Sequence, residues 1–411
     1  MRTWSMSWAG IRTVAWLDLR QRVRSPRWII ALVAWFVLII GLSALVIVAV
    51  ESSRGSGGMA LQGEVFSFGL VTYLLLGMSL VIAPTFTATA INGDREHGTL
   101  ALLQATRLSA AEIAAGKLLA AWLTSAMFLG VSLPFVIWSL VAGEIPVWQV
   151  VVCFAVMMVE VMIVCAIGLG WSAMIGRPTG STVLTYLTVV LVTALTPIIM
   201  ALVSTLTRTE ITVREWNLSP AAAERYDEQV EQYLRDNPDA DGTGMPAPPL
   251  GECAWSTSTE LQPRNDQVWW ILAVNPFVIV ADAAPLPESA RSDLASYVSV
   301  SEDPLISLQF FVRGLRLPPV TERDFCTDLY EGNPAYQVIR DSNGNVVRVT
   351  TAEGTPVEVE TPVTRPAVTA EDPIWPWGLG VSFLAGAAFF WIAVRRLRVP
   401  YGTLPRGTRI G

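Results

Sequence analysis

The sequence predicts an all-α polytopic membrane protein carrying an α+β domain on its outer side, and three observations predict it. The 411 residues are 52% hydrophobic and only 15% charged. The apolar residues are gathered into runs of roughly 20 or more, each long enough to cross a hydrocarbon core. A long, acidic segment, 207–372, breaks this pattern late in the chain. Inside lipid a helix satisfies its own backbone hydrogen bonds, so the runs are read as helices.

The chain opens on a basic stretch, 1–27. Within it, Ile11 to Arg24 places Ile11, Val14, Leu17 and Val23 on one helical face and Arg12, Asp18, Arg20 and Arg22 on others. This predicts an interfacial helix whose arginines reach toward lipid headgroups. Six spans are then expected: Trp28 to Val50, Phe66 to Ala90, Leu118 to Val141, Val147 to Met174, Thr182 to Leu206 and Ile374 to Val394. The first five occupy 28–206, and the sixth, with a basic tail, 373–411. The first run lacks a clean small-x-small end before Glu51, so it is read as a retained anchor and not as a cleaved signal.

Orientation follows from the cations. Arg2, Arg12, Arg20, Arg22, Arg24 and Arg27 precede the first span; Arg95, Arg107 and Lys117 sit in the loop after the second; Arg177 follows the fourth; Arg395, Arg396, Arg398, Arg406 and Arg409 follow the sixth. Against these stand only Asp18, Asp94, Glu96 and Glu112, while most of the chain's 35 acidic residues lie in the alternate segments. The positive-inside rule therefore places both termini in the cytoplasm. The net charge of −7 reflects an acidic outer domain and says nothing of nucleic acid. A further apolar stretch, Val268 to Ala284, is short and contains Asn275 and Pro276; a crossing there would leave the Arg395-Arg396 tail outside. It is read as an interfacial or re-entrant helix on the outer side.

Between the second and third spans, Ile91 to Lys117 is polar and patterned. Asn92-Gly93-Asp94 is expected to break the second helix and Thr99 to Ala105 to form a short one. Ser109-Ala110-Ala111-Glu112 has capping-box spacing, so the third helix is expected to begin at Ser109, within the cytoplasm. In the outer segment, Ser219 to Asp236 reads as a helix with Ser219 at the N-cap and Pro220 at its first turn. Asn237 to Pro263 is rich in Pro, Gly and Ser and reads as loop. Tyr336 to Arg340 and Val346 to Thr351 flank Asp341-Ser342-Asn343-Gly344 and read as a β-hairpin. Cys253 and Cys326 lie in this segment, and an oxidising compartment would allow them to bridge.

The sequence offers little for catalysis. His97 is the only histidine, so His-pair zinc sites and a Ser-His-Asp triad with a spare base have little to work with. A phosphate-binding G-x-x-x-x-G-K-[ST] is absent: Gly116-Lys117 has Ala111 where the first glycine would stand and Leu118 after the lysine. Glu160, in the middle of the fourth span, is either protonated or paired within the bundle, or it lines a substrate path or serves a proton-linked step. Lys117 is read as snorkelling to the inner interface. Thr85, Thr87, Thr89 and Ser172 are expected to bond their own helix backbones.

Gly93-Asp94-Arg95-Glu96-His97-Gly98-Thr99-Leu100, then Leu102-Leu103, then Gly116-Lys117-Leu118-Leu119-Ala120, resembles the inner-loop signature of exporter-type ABC type-2 permeases. The N-terminal helix, the span count and Asn275-Pro276-Phe277 in the last outer loop are similar to that family as well. The resemblance implies that this loop docks in a cleft of a separate ATP-binding subunit, which would hold ATP and Mg, this chain binding no cofactor and no metal. Asp94, Arg95, Glu96, Gly98, Thr99, Leu100 and Leu103 are then the docking residues: the charges at a rim, Leu100 and Leu103 as an apolar ridge, and Gly98 for the turn between them. It further implies a second permease subunit, identical or similar, in a bacterial inner membrane, exporting a lipid, peptide, drug or glycoconjugate. The rival reading is a non-transporting scaffold or receptor whose acidic outer domain binds an envelope partner.

Overall fold

Apolar runs without interior breakers become long helices, and the helices of this chain follow the runs. The computed structural model describes residues 4, 6–54, 63–106, 108–134, 137, 147–237, 246, 249, 252–285, 303–326, 336–340, 346–351, 356–357 and 372–397. In order come α1 (Trp8–Val23), α2 (Pro26–Arg54), α3 (Gly63–Thr87), α4 (Asn92–Glu96), α5 (Thr99–Ala105), α6 (Ala110–Val131) and α7 (Val147–Met174). Then α8 (Pro178–Val190) runs through a π-helical turn, Leu191–Leu195, into α9 (Thr196–Leu206). Five described helices are long and apolar enough to cross a membrane: Phe68–Glu96, Ala110–Val131, Val147–Met174, Pro178–Leu206 and Trp375–Arg396. Counting Trp8–Val23 and Trp28–Leu42, bent by 74°, as one broken span makes six. The protein is thus a multi-pass membrane protein with five or six candidate spans where the sequence suggested six.

The bundle core lies where α3, α6 and α7 meet, around Leu75, Leu76, Leu80, Leu129, Met157 and Val161. The helix α2 joins it through Trp35, whose indole Nε1 donates to the Phe128 carbonyl at 2.9 Å, so a large apolar ring is buried without orphaning its N–H.

The turn that would bury a helix break instead holds a partner. Pro197 has no N–H to give the Thr193 carbonyl one turn before it. Asn275 supplies the missing donor, its Nδ2 lying 2.9 Å from Thr193 O and 2.9 Å from Thr196 Oγ1. Its Oδ1 accepts from the Phe277 amide and caps the following helix. The stretch Val268 to Ala284 is accordingly broken into α11 (Asn265–Val268), α12 (Trp270–Ala273) and α13 (Pro276–Ala283), none of them long enough to cross.

The domain between the last two long helices is α+β. β1 (Arg208–Leu218) pairs antiparallel with β2 (Cys253–Pro263) along its whole length, and with β3 (Glu322–Asp324) in parallel. Between β1 and β2 lies α10 (Pro220–Asp236), with Ser219 at its N-cap. After α13 comes α14 (Pro304–Gly314), capped by Asp303, whose Oδ1 accepts from the Leu305 amide. β4 (Tyr336–Arg340), β5 (Val346–Thr351) and β6 (Pro356–Val357) form a second sheet in that order. The last helix, α15 (Trp375–Arg396), returns through the membrane segment. A disulfide joins Cys253 to Cys326 across 6.5 Å between Cα atoms.

Three local readings change. Residues 253–263, read as the end of a loop, are β2: Trp255, Thr257 and Thr259 alternate, and their strand propensity outweighs the serines between them. The second helix breaks over 88–91, and Asn92-Gly93-Asp94 opens α4. On α1 the buried face is Gly10, Ile11, Val14 and Ala15, with Leu17 and Val23 exposed, because α1 packs on α6 and only part of its apolar stripe reaches that helix. The hairpin turn 341–345, Arg2, Arg107, most of the third run beyond Pro134 and the tail arginines from Arg398 on lie outside the described residues.

Candidate functional site

The segment from α4 to the start of α6 forms a loop fastened on every side but one. Its first foot is a hydrogen-bonded joint with the end of α7. The amides of Ile91 and Asn92 donate to Ser172 Oγ at 2.9 and 3.2 Å, and Asn92 Nδ2 donates to Ser181 Oγ at 2.6 Å. Ser172 therefore bridges helices; Thr85 and Thr87 do bond their own backbone, at Ile82 O and Ala83 O. The joint puts the orphan amides at the α4 start against acceptors from another element.

The tip turns at Gly98, whose φ of +73° is a left-handed conformation that costs a β-carbon-bearing residue. Glu96, His97, Gly98 and Thr99 are exposed, and Asp94 and Arg95 half-buried. The Thr99 hydroxyl donates to Asp94 O at 3.2 Å and tightens the turn. Behind the tip the apolar residues point inward. Leu100 is only 3% exposed and packs with Ile91, Ala111, Leu169 and Val394, with Leu103 against the same cluster. The ridge read from the sequence is therefore occupied by this chain's own helices. Burial of Leu100 here outcompetes display, since a helix of seven residues is held chiefly by what it packs against.

The second foot is the start of α6. Ser109 Oγ accepts from the Glu112 amide at 3.1 Å and Glu112 Oε2 accepts from the Ser109 amide at 2.7 Å, a complete capping box. Glu112 Oε1 is used too, accepting from the amide and hydroxyl of Ser7 at 2.8 and 2.7 Å. This draws α1 onto α6, and Gly116 lets it come close: a β-carbon there would lie 2.5 Å from Val14 Cβ and 3.0 Å from the Ile11 carbonyl.

The next residue, Lys117, corrects its sequence reading. It does not snorkel; it is 2% exposed, with Nζ 2.5 Å from Asp94 Oδ2 and 3.4 Å from Asp18 Oδ2. A lysine at this point of α6 has carboxylates from two other elements within reach, and burial without them would be costly. The only lysine of the chain thus ties the loop (Asp94), α6 and α1 (Asp18) at one point. Beside it, Arg22 Nη2 donates to the Phe86 carbonyl at 3.1 Å and the guanidinium stacks over the Phe86 ring. The sequence signal for this cluster was present in the solitary lysine and in Asp18, an acid on an otherwise basic helix.

The remaining candidates lie elsewhere. Glu160 is 1% exposed inside the bundle, its Oε1 without a partner, and is not brought together with the loop. Cys253 and Cys326 belong to the domain. Among the described residues no group of three or more His, Cys, Asp or Glu side chains is placed to hold a metal ion.

A family model described as ABC-2 family transporter protein matches residues 12–218, from α1 through the loop to β1. No curated protein matches the chain. The matched stretch is just over half of the sequence, and it contains the clamped loop and all but the last of the long helices. The chain belongs to the ABC-2 transporter family, and as such is the membrane-spanning permease component of an ABC transporter.

Proposed function

We propose that this permease couples to a separate ATP-binding subunit through the exposed turn Glu96 to Thr99, and that two permease chains, identical or similar, enclose an export path. Nucleotide and magnesium belong to the partner. The observation that carries the reading is the contrast within the loop: a polar tip in solvent, on a base fixed by the Asn92 joint, the capping box and the Lys117 ion pairs. A flexible loop would absorb a push; a tip on a fixed base passes it on as rigid-body motion. Arg95, Glu96, Gly98 and Thr99 remain as contact residues, whereas Asp94 acts from behind by holding Lys117, and Leu100 and Leu103 by packing the loop down.

The reading places the loop and both termini in the cytoplasm of a bacterial cell and the domain outside. Support comes from the distribution of cations and from the Cys253–Cys326 disulfide, a bond that persists in oxidising compartments. The test is affinity purification of the tagged chain from its native membrane with mass spectrometry of the associated proteins. An ATP-binding protein should accompany the wild type in fixed ratio and be lost with Glu96→Ala plus Thr99→Asp, while Glu252→Ala in the domain retains it. A preparation carrying only envelope proteins bound through the domain would overturn the reading in favour of a scaffold.

A further inference from the structure

We propose that the domain is mechanically driven from the loop, with α14 as the receiving element and α3 and α15 as the two rods that reach it; Gln104 and Asp282 are the positioning residues at the ends of α15. The proposal rests on the reading that a motor subunit pushes on the loop, and it adds where that push goes.

The last carbonyls of a helix lack intrahelical partners. At the loop end of α15, Gln104 Nε2 donates to one of them, Leu397 O, at 3.1 Å. Ala393, Val394 and Leu397 sit in the same buried cluster as Leu100, with Leu103 packed against it. So α5 grips the end of α15 by one hydrogen bond and one apolar seat.

The opposite end is gripped as firmly. The first amides of a helix are orphans and carry the positive end of its dipole. Asp282, buried, accepts there from the amides of Ile374 and Trp375 through Oδ2, at 2.5 and 2.7 Å. Its Oδ1 accepts from Arg313 Nε at 2.6 Å, and Gln309 Nε2 donates to the carbonyls of Asp282 and Ala284 at 3.1 and 3.0 Å. Arg313 and Gln309 both belong to α14. A helix of this length is about 33 Å long, so the two grips sit at opposite ends of the bundle.

The second rod is continuous with the loop. The chain passes from α3 through 88–91 into α4, and in the first half of α3, close to its middle, the Tyr73 hydroxyl donates to Pro304 O at 3.1 Å. Both sides of the loop therefore lead to the same eleven-residue helix, one to its start and one to its end. From α14 the chain continues directly to β3 in the sheet with β1, and Cys326 bonds that region to β2. Any motion of α3 relative to α15 tilts α14, and the sheet follows. The domain then acts on cargo at the exit in step with the motor.

Hydrogen exchange read by mass spectrometry tests this in two arms. In the isolated permease, Gln104→Ala with Leu103→Ala should speed exchange of the 304–314 amides about fivefold, on the scale of a lost hydrogen bond, with 220–236 unchanged. A change confined to 99–106 and 393–397 would overturn the linkage. In the complex purified with its ATP-binding subunit, adding ATP and vanadate should alter exchange at both 92–105 and 304–314 in the wild type. The alteration at 304–314, and only there, should vanish in Gln104→Ala and in Asp282→Asn. A wild-type loop that responds while 304–314 does not would sink the proposal and leave the docking reading intact. A positive first arm with no nucleotide response in the loop would uphold the linkage and overturn the docking reading.

Discussion

Replacing Lys117 by methionine removes one cation and leaves two carboxylates facing each other. The geometry sets the size of the effect. At 4 Å and an effective dielectric constant near 20, a charge pair is worth about 4 kcal/mol before desolvation, and here Nζ lies at 2.5 and 3.4 Å from its partners. Removing one member of a buried pair costs roughly 3–5 kcal/mol. The Asp94 and Asp18 side chains are 29% and 14% exposed and regain some hydration, which lowers the expectation to about 2–3 kcal/mol. Read as hydrogen exchange of the 92–96 amides, this is acceleration by roughly 30- to 150-fold. Adding Asp94→Asn and Asp18→Asn to Lys117→Met removes the stranded charges and should recover most of the loss, since the cost of breaking a buried pair comes from the charge left uncompensated. Acceleration below threefold in the single variant, or a triple variant no better than the single, would refute the argument that these charges hold the loop.

Gly116→Ala should push α1 off α6, because the added carbon meets the Val14 side chain at 2.5 Å and backbone at 3.0 Å; overpacking costs about 1–3 kcal/mol and should appear as faster proteolysis within 8–23, while Gly41→Ala, with open space around it, changes nothing. Burial pushes the Asp303 carboxyl from 3.8 up to about 7 even though the Leu305 amide donates to it. The folded state thus holds this proton more tightly than the unfolded, so docking of α14 is firmest near pH 4 and weakens as pH rises to 7. Exchange at 304–312, corrected for intrinsic rates, should report this slope, and Asp303→Asn should flatten it. Cys326→Ser should abolish a mobility difference between reduced and unreduced protein on electrophoresis and cost the domain roughly 4 kcal/mol, as expected for a bridge across 73 residues.

The long helices were legible because lipid leaves a twenty-residue apolar run one way to fold. The capping box at Ser109 and the α5 boundaries were legible because they follow from short-range spacing. What depended on a second element was not. Whether Leu100 faces a partner or its own bundle turns on where α7 and α15 end, and nothing in the sequence around Leu100 says that. Lys117 reads as a snorkelling cation until Asp94 and Asp18 arrive from other elements. The strand at 253–263 was masked by its neighbours' composition, and its partner, Arg208–Leu218, by an apolar alternation that changes phase between Val213 and Trp216.

The exchange between Pro197 and Asn275 ties two distant positions into one specification. A proline that opens a gap in a ladder is ordinarily a flaw in its helix, but here the gap is an address, and the Asn275 amide is what is delivered to it. Restoring a backbone donor at 197 would improve the helix and set a rival at the Thr193 carbonyl, so the local repair would weaken one of the contacts that join the broken helices 265–283 to the span beside them. The two residues therefore make sense only as a pair, and a change at either is a change in how one half of the protein finds the other.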